Sequence, residues 1–490
     1  EIVGTFRNSI VNALNAIIGR VLFKKVNGIY IYLPYTLPLP SVFNHLIQSF
    51  NTKLKPLLPL TVPIAMEDFP GLYSDRKKRE TYEQAIVDYL KRGFYPTDAD
   101  ISMFLKYEKD IRTLKPERIP RVISPAGFVY LMLTGLYIKA VEEKIFEAVN
   151  AMFGYKVVAK GVTYDEVAEM TSNNFGEFLN AASFDLDVSK LDQSITREML
   201  KWVHSVIAAC FPKEEAERIM ILLKYQLRST VRGKTDDGYF KYVVDGTLTS
   251  GQMSTSLTGV LVVVGILYEP CVKYNLRLLN CGDDCRIFGD KKTLMRVRKH
   301  IEERFLIVGM TVEIGQIDEC IEKGEFCQLR SLFDGDKWRS VRNIRAVLTK
   351  DTVCLEDYRV SYKIAAWAKS VGQGGMALHG GVPVLQNLYR CLIRNADEYF
   401  NTTKLSGRQR KRVKFQLSKG IQKGYVAWLP GEKYDFRTPS VEMIFSFYKA
   451  FNMTPRSQEI FAEYYDTYRI DFNDITDLPY VPTDLSPFMM

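Results

Sequence analysis

Three acidic positions have the types and spacing to do chemistry. Asp283 and Asp284 stand side by side in LLNCGDDCRIFGD (278–290), and Asp187 ends the apolar stretch of SFDLDVSKLDQSI (183–195). Adjacent carboxylates repel each other. Here the flanks (Leu276, Leu278, Leu279, Cys285, Ile287 and Phe288) are apolar, so desolvation adds to the repulsion. A divalent cation with hard oxygen ligands removes both penalties, which makes Mg²⁺ the expected cofactor and Mn²⁺ the alternative. Two-metal phosphoryl transfer needs a further carboxylate from another strand, to bridge ions about 3.5–4 Å apart. Asp187 fits that place, and Asp185, on the same face of its strand, is the rival ligand. Asp192 lies five residues beyond Asp187, where it reaches toward a bound substrate and not the same ion.

A second double acid provides a control. Asp236-Asp237-Gly238 in RGKTDDGYFKY has polar flanks and reads as a plain hairpin turn. Context therefore has to separate the two. Between Asp187 and Asp283 lies TLTSGQMSTSLTG (247–259), where Ser250 and Gly251 form a flexible loop and Thr255 sits near the start of a helix. Such a loop at a helix N-terminus suits an anionic or polar ligand. Upstream, Lys106, Arg112, Lys115, Arg118 and Arg121 form a basic strip restrained by Pro116 and Pro120. Arginine grips phosphate oxygens in a bidentate way, so the strip suits a triphosphate.

The elements that must position these groups are mixed. Strand patterns occur near 177–190, around the turn at 283, and as a pair near 325–341. Helical patterns cover much of 80–150, SITREMLKWVHSVIAACF with Ser194 as N-cap, 254–268 and 291–306, and they dominate the last 150 residues. Residues 33–70 are Pro-rich and apolar and read as an irregular packed connection. An antiparallel hairpin at the centre makes α+β the expected class. At 490 residues, two to four subdomains are expected.

Composition excludes other chemistries. The 47% hydrophobic and 25% charged residues describe an ordered globular chain, and the +9 net charge is modest. The eight cysteines form no C-x-x-C pair or zinc spacing, which favours a reduced, intracellular setting. The four scattered histidines suggest no His-based catalysis. The longest apolar run, Gly259–Tyr268, is far short of the roughly 20 residues of a membrane span, and no signal peptide is evident. Gly372-x-Gly374-x-x-Ala377 matches a dinucleotide fingerprint, but it follows a helical stretch, which argues against nucleotide binding there.

The ordered set Asp-x4-Asp, Ser-Gly-x3-Thr and Gly-Asp-Asp resembles motifs A, B and C of viral RNA-dependent RNA polymerases. Further stretches resemble the positive-strand, tombusvirus-like group. SDRKKRETYEQA, FLKYEK and IPRVISP look like its upstream segments, GEFCQLRSLFDGDKWRSVRN like motif E, and GGVPVLQNLYRCL like a thumb segment. The similarity spans about 70–390. It implies a right hand: N-terminal extension and fingers at 1–176, palm at 177–202, a fingers insertion at 203–244, palm again at 245–340, and a mostly helical thumb with tail at 341–490.

The resemblance further implies RNA synthesis from ribonucleoside triphosphates by two-metal transfer, with Asp187, Asp283 and Asp284 as catalytic metal ligands. The nucleotide would meet Lys106, Arg112, Lys115, Arg118, Arg121, Asp192, Ser250, Gly251 and Thr255. Phe326, Cys327 and Gln328 would lie beneath the primer end. Expected partners are the RNA template, the nascent strand, ribonucleoside triphosphates and other viral replication proteins. The expected location is membrane-associated replication complexes in the host cytoplasm, reached through a region upstream of Glu1. Two departures stand out: Gly259 replaces the family asparagine that helps Asp192 read the sugar, and GMTVEIGQIDEC has no clear motif D lysine. A metal-dependent nuclease and a non-catalytic RNA-binding scaffold are the competing functions.

Overall fold

The computed structural model describes residues 3–26, 28–33, 38–111, 118–355, 360–423, 433–474 and 481–483. At its centre is a four-stranded antiparallel sheet of β1 (Ala181–Val188), β2 (Arg277–Asn280), β3 (Asp284–Asp290) and β4 (Val312–Ile314), in the spatial order β2-β3-β1-β4. Strand side chains alternate between faces, and this sequence uses the alternation fully. Ala182, Phe184, Leu186 and Val188 of β1 join Leu278, Cys285 and Ile287 in the main core. Fully burying side chains of the size of Phe184, Leu186 and Ile287 stabilises the fold by about 1.5–3 kcal/mol each.

The opposite face of the sheet carries the acids at one end and the buried Leu279 and Phe288 further along. Register sets Asp284 opposite Asp187, Arg286 opposite Asp185, and Glu313 opposite Asp187 on its other side. Beneath the acidic row, Arg286 is buried at 1% exposure, and its guanidinium donates to Ser183 Oγ and to the Ile321 and Gly324 carbonyls.

Among the helices that pack into the main core are α1 (Phe128–Phe153), α2 (Thr255–Lys273) and α3 (Lys291–Ile307). Asp290 ends β3 and caps α3, its Oδ1 accepting from the Lys292 N–H at 3.0 Å. Helix α2 extends past the apolar run noted in the sequence and is long and apolar enough to cross a membrane, with mean hydropathy 1.7. It is apolar all round because it is packed on all sides within the core. The helix after β1 begins later than the sequence suggests. Thr196, not Ser194, is its N-cap, with Oγ1 accepting from the Met199 N–H at 3.2 Å, while Ser194 closes the short helix Leu191–Ser194.

Strands β5 (Leu329–Phe333) and β6 (Trp338–Arg342) form a separate hairpin. It packs with helices Ser361–His379, Leu385–Thr402 and Val441–Phe451 around a second core. The Gly-x-Gly-x-x-Ala stretch lies inside the first of these helices, and a Cβ on Gly372 would come within 2.8 Å of the Tyr389 carbonyl. Its glycine serves helix–helix packing. The N-terminal strand Val3–Phe6 pairs in parallel with Val481–Thr483 and antiparallel with Asp110–Ile111. The control turn at Asp236-Asp237-Gly238 is a hairpin turn, joining Arg228–Lys234 to Tyr239–Asp245.

Candidate active site

The β2–β3 hairpin delivers two carboxylates to the acid-bearing face of the sheet. Gly282 adopts φ +92°, a left-handed value that glycine tolerates without strain, and its amide donates to Asn280 Oδ1 at 3.0 Å. The turn is tied to the neighbouring strand where the Val188 N–H donates to the Asp283 carbonyl at 3.1 Å. Asp187, Asp283 and Asp284 then line one open cavity of about 810 Å³, together with Glu313. The Asp284 carboxyl is pushed up by burial and by the Asp283 charge, with the Cys327 thiol and Lys160 pulling the other way. A cation would relieve that repulsion.

Among the described residues, no group of three or more His, Cys, Asp or Glu side chains already converges as a cage for a metal ion. That is compatible with Mg²⁺, which commonly takes one or two protein carboxylates and completes its shell with water and substrate phosphates. The all-oxygen donor set and the Asp284–Asp187–Glu313 register fit such an ion. Asp185, the rival ligand, is otherwise engaged. Its Oδ2 accepts from the Glu325 N–H at 2.8 Å, and its Oδ1 lies 3.6 Å from Arg286 Nε. Burial raises its carboxyl to about 6 against the pull of Arg286. It joins the sheet to the 325 loop.

The same cavity is also lined by basic residues. Arg118 and Arg121 line it, held by acids behind them: Arg118 Nη1 lies 2.5 Å from Asp110 Oδ1, and Arg121 Nη1 3.5 Å from Glu108 Oε2. Lys106 is not on the cavity wall. Its ammonium pairs with Glu108 at 2.9 Å, and its amide donates to the Arg121 carbonyl at 2.8 Å, so it supports the strip from behind. Arg112 and Lys115 lie outside the described residues.

Asp192, Ser250 and Thr255 line the same cavity. The Asp192 carboxyl is pushed up to about 6, by burial first and by the Asp283 charge second, against Arg121 and Arg20. The Ser250 carbonyl accepts from the Ser124 N–H at 2.6 Å, joining this loop to the basic strand. Gly251, at φ +116°, lets that approach happen: a Cβ there would stand 3.0 Å from Pro125 N. Its role is backbone proximity. Thr255 Oγ1 donates to the Gln252 carbonyl at 2.9 Å. Gly259 also faces the cavity, and a Cβ there would be 3.3 Å from Leu191 Cδ2 and 3.7 Å from Gly282 Cα. The small residue lets α2 approach both acidic segments closely.

Phe326, Cys327 and Gln328 divide by role. Phe326 is 3% exposed and belongs to a small core with Leu279 and Phe288, so it supports the site from below. Cys327 and Gln328 form a two-residue turn with φ +54° and +62°, closed by mutual Phe326–Leu329 backbone bonds of 2.9 Å. Two successive non-glycine residues in that region store strain, a cost that tends to persist at functional sites. Gln328 reaches the cavity, and the Cys327 thiol bonds with Cys281 and Asp284.

Three cavity residues escape a reading of the motifs: Glu313, Arg20 and Lys160. Glu313 reaches the site through sheet register alone. Arg20 comes from the N-terminal segment, where its Nε donates to the Ile119 carbonyl at 3.1 Å. Burial, Arg121 and Arg118 lower its guanidinium to about 10, a clustering of positive charge that an anion would relieve. For Lys160, burial is outweighed by Cys281, Cys327 and Asp283, which hold the ammonium above its usual range. The two buried histidines stay out of the chemistry. Burial lowers His204 to about 4 and His379 to about 3, and they bond Gln226 and the Gly375 carbonyl.

A family model described as viral RNA dependent RNA polymerase matches residues 2–473. The chain belongs to that family. Among curated relatives of this polymerase family, the RNA-directed RNA polymerase of Oat chlorotic stunt virus (isolate United Kingdom) is 32% identical over 449 residues, covering 90% of this chain and 58% of the relative. That of Turnip crinkle virus is 30% identical over 475 residues, 95% of this chain and 58% of the relative. That of Tobacco necrosis virus (strain A) is 30% identical over 425 residues, 86% and 56% respectively. The chain thus spans a little over half the length of these relatives. Membership agrees with the tombusvirus-like resemblance of the motifs.

Proposed function

We propose that the chain is an RNA-templated RNA polymerase that replicates a positive-strand viral genome from ribonucleoside triphosphates. One observation carries this reading: Asp187, Asp283 and Asp284 line a single cavity together with Arg118, Arg121, Arg20, Ser250 and Thr255, and the Asp192 carboxyl there feels both Asp283 and Arg121. That layout suits a nucleoside triphosphate, with its phosphates toward Arg118, Arg121 and Arg20 and its ribose toward Asp192. The nascent strand's 3′-hydroxyl would come to the acidic row. Its oxygen forms a bond to the α-phosphorus and loses its proton, the bridging bond to the β-phosphate breaks, and pyrophosphate leaves.

Two Mg²⁺ ions, or Mn²⁺, would activate the hydroxyl and neutralise the triphosphate. Asp187 and Asp283 would hold them, with Asp284 and Glu313 in support. The arginines neutralise charge developing toward pyrophosphate, and catalysis is otherwise positioning, which is why no nucleophilic side chain is needed. In a right hand, the four-stranded sheet is the palm, residues 1–176 and 203–244 the fingers, and 341–490 the thumb. We further place the protein with the template, the nascent strand and other viral replication proteins at membrane-associated complexes in the host cytoplasm.

Primer extension on a defined RNA template with labelled nucleotides and Mg²⁺ tests the function. Template-length product from the parent, and none from Asp283→Ala, is expected. RNA cleavage without extension would establish a nuclease, and full replication activity in Asp283→Asn would reduce the chain to a scaffold.

A further inference from the structure

Lys160 is built into the acidic end of the cavity by main-chain bonds. After α1, the Asn150 side chain accepts from the Val157 and Val158 amides at 2.8 and 3.0 Å. The next residues run in parallel with the end of β2, with the Asn280 N–H donating to Val157 O at 2.9 Å and the Ala159 N–H to Asn280 O at 2.8 Å. Lys160 follows at once, and its Nζ lies 3.8 Å from the point a Cβ on Gly282 would occupy. The ammonium is thus held against the turn that carries Asp283, bonded to the Cys281 thiol.

The other cations on the cavity wall are engaged by this chain's own groups. Arg118 and Arg121 pair with Asp110 and Glu108, Arg20 donates to Ile119 O, and Lys190 donates to Gly19 O. Among the described residues, Lys160 has no carboxylate within ion-pair distance, and its charged neighbourhood is Cys281, Cys327, Asp283 and, in the same turn, Asp284. None of the three arginines belongs to that neighbourhood, whereas they interact with one another. The cavity therefore has two separate cationic places. One faces the triphosphate. The other lies beside the strained Cys327–Gln328 turn, at the acidic end where the nascent 3′-hydroxyl must arrive.

We propose that Lys160 binds a phosphodiester of the nascent strand next to its 3′ end and so seats the hydroxyl at the acidic row. The proposal rests on the polymerase reading above. A half-buried ammonium donating to a phosphate oxygen forms a charge-assisted hydrogen bond, and each such contact releases counterions from RNA. Lysine acts there as a point charge, tolerant of the strand's small movements as it advances.

The test measures binding of the full chain to a primer–template RNA duplex across a KCl series, without nucleotide, for the parent, Lys160→Gln and Lys160→Arg. We expect Lys160→Gln to bind several-fold more weakly and the slope of log affinity against log salt to shrink by about 0.7–0.9. Lys160→Arg should restore the slope, and the KM for nucleotide should stay unchanged in both. Loss of extension in Lys160→Gln with an unchanged salt slope would overturn the proposal and leave Lys160 as a structural partner of the turn. A second measurement needs only the parent: uncharged methylphosphonate linkages placed one at a time along the primer. Weakened binding from a linkage next to the 3′ end supports the contact, and uniform indifference there overturns it. If the parent makes no product on any template, the polymerase reading fails instead, independently of where the RNA is held.

Discussion

Two turns in this protein carry adjacent aspartates, and their surroundings give them opposite characters. At the outer hairpin, Asp236 accepts from Asn8 Nδ2 at 3.0 Å, and Asp237 accepts from the Ile10 N–H at 2.7 Å and Thr235 Oγ1 at 2.9 Å. The Ile10 amide first, then Thr235, holds the Asp237 carboxyl below its usual range. Those charges are already satisfied by the N-terminal segment. At the inner hairpin the Asp284 carboxyl is pushed up, Asp187 stands opposite it on the neighbouring strand, and Glu313 stands beside Asp187 on the strand beyond. The same dipeptide thus acts as a tether where donors meet it, and is proposed as a cation site where further acids do.

The sharpest way to break that comparison is to remove one acid from each turn. Asp283→Ala should lower primer extension by roughly a thousandfold or more while the protein stays folded, and chelation of divalent ions should do the same to the parent. Arg121→Ala, in the same cavity, should raise the KM for nucleotide about tenfold, the size of one charge-assisted contact. An unaltered KM would take Arg121 out of the phosphate site.

Asp192→Asn sharpens the electrostatic side. The folded protein raises this carboxyl from its ordinary 3.8 to about 6, so between those values it binds more protons folded than unfolded, and stability falls as pH rises through that window. The Asn variant should match the parent near pH 4 in thermal unfolding. Above about pH 6 it should be more stable, by at most roughly 3 kcal/mol. The same variant should show a reduced preference for NTP over dNTP. The smallest effect is expected at the control turn, where Asp237→Ala should lower the unfolding temperature slightly and leave the extension rate within about twofold.

The three aspartates were legible because local pattern encodes them: an apolar strand ending in Asp187, a glycine that permits the turn, and flanks that alternate in and out of the core. Glu313 was not, because nothing in TVEIG marks it until the register of β4 against β1 sets it beside Asp187. Arg20 and Lys160 were hidden for a related reason. Each depends on backbone bonds to a distant segment, Ile119 for one and Asn280 for the other. The cap at Thr196 and not Ser194 shows the limit of local signals at helix starts: both residues can cap, and only the short helix Leu191–Ser194 decides between them. Lys106 and Gly251 do not line the cavity but stand behind it, Lys106 through its pair with Glu108 and its amide bond to Arg121, Gly251 through close backbone approach to Pro125, a distinction that residue type does not reveal.

The pairing of Val3–Phe6 with Val481–Thr483 bears on how the enzyme is made. This segment is synthesised before its partners, so Asn8 and Ile10 must wait for the 235–237 turn, and residues 4–6 for 481–483. At about 5–20 residues per second, that last wait is on the order of half a minute or more. Chains interrupted before residue 481 would therefore leave Val3–Phe6 paired with Asp110–Ile111 on one edge and open on the other, an exposed strand edge that invites pairing with a second chain.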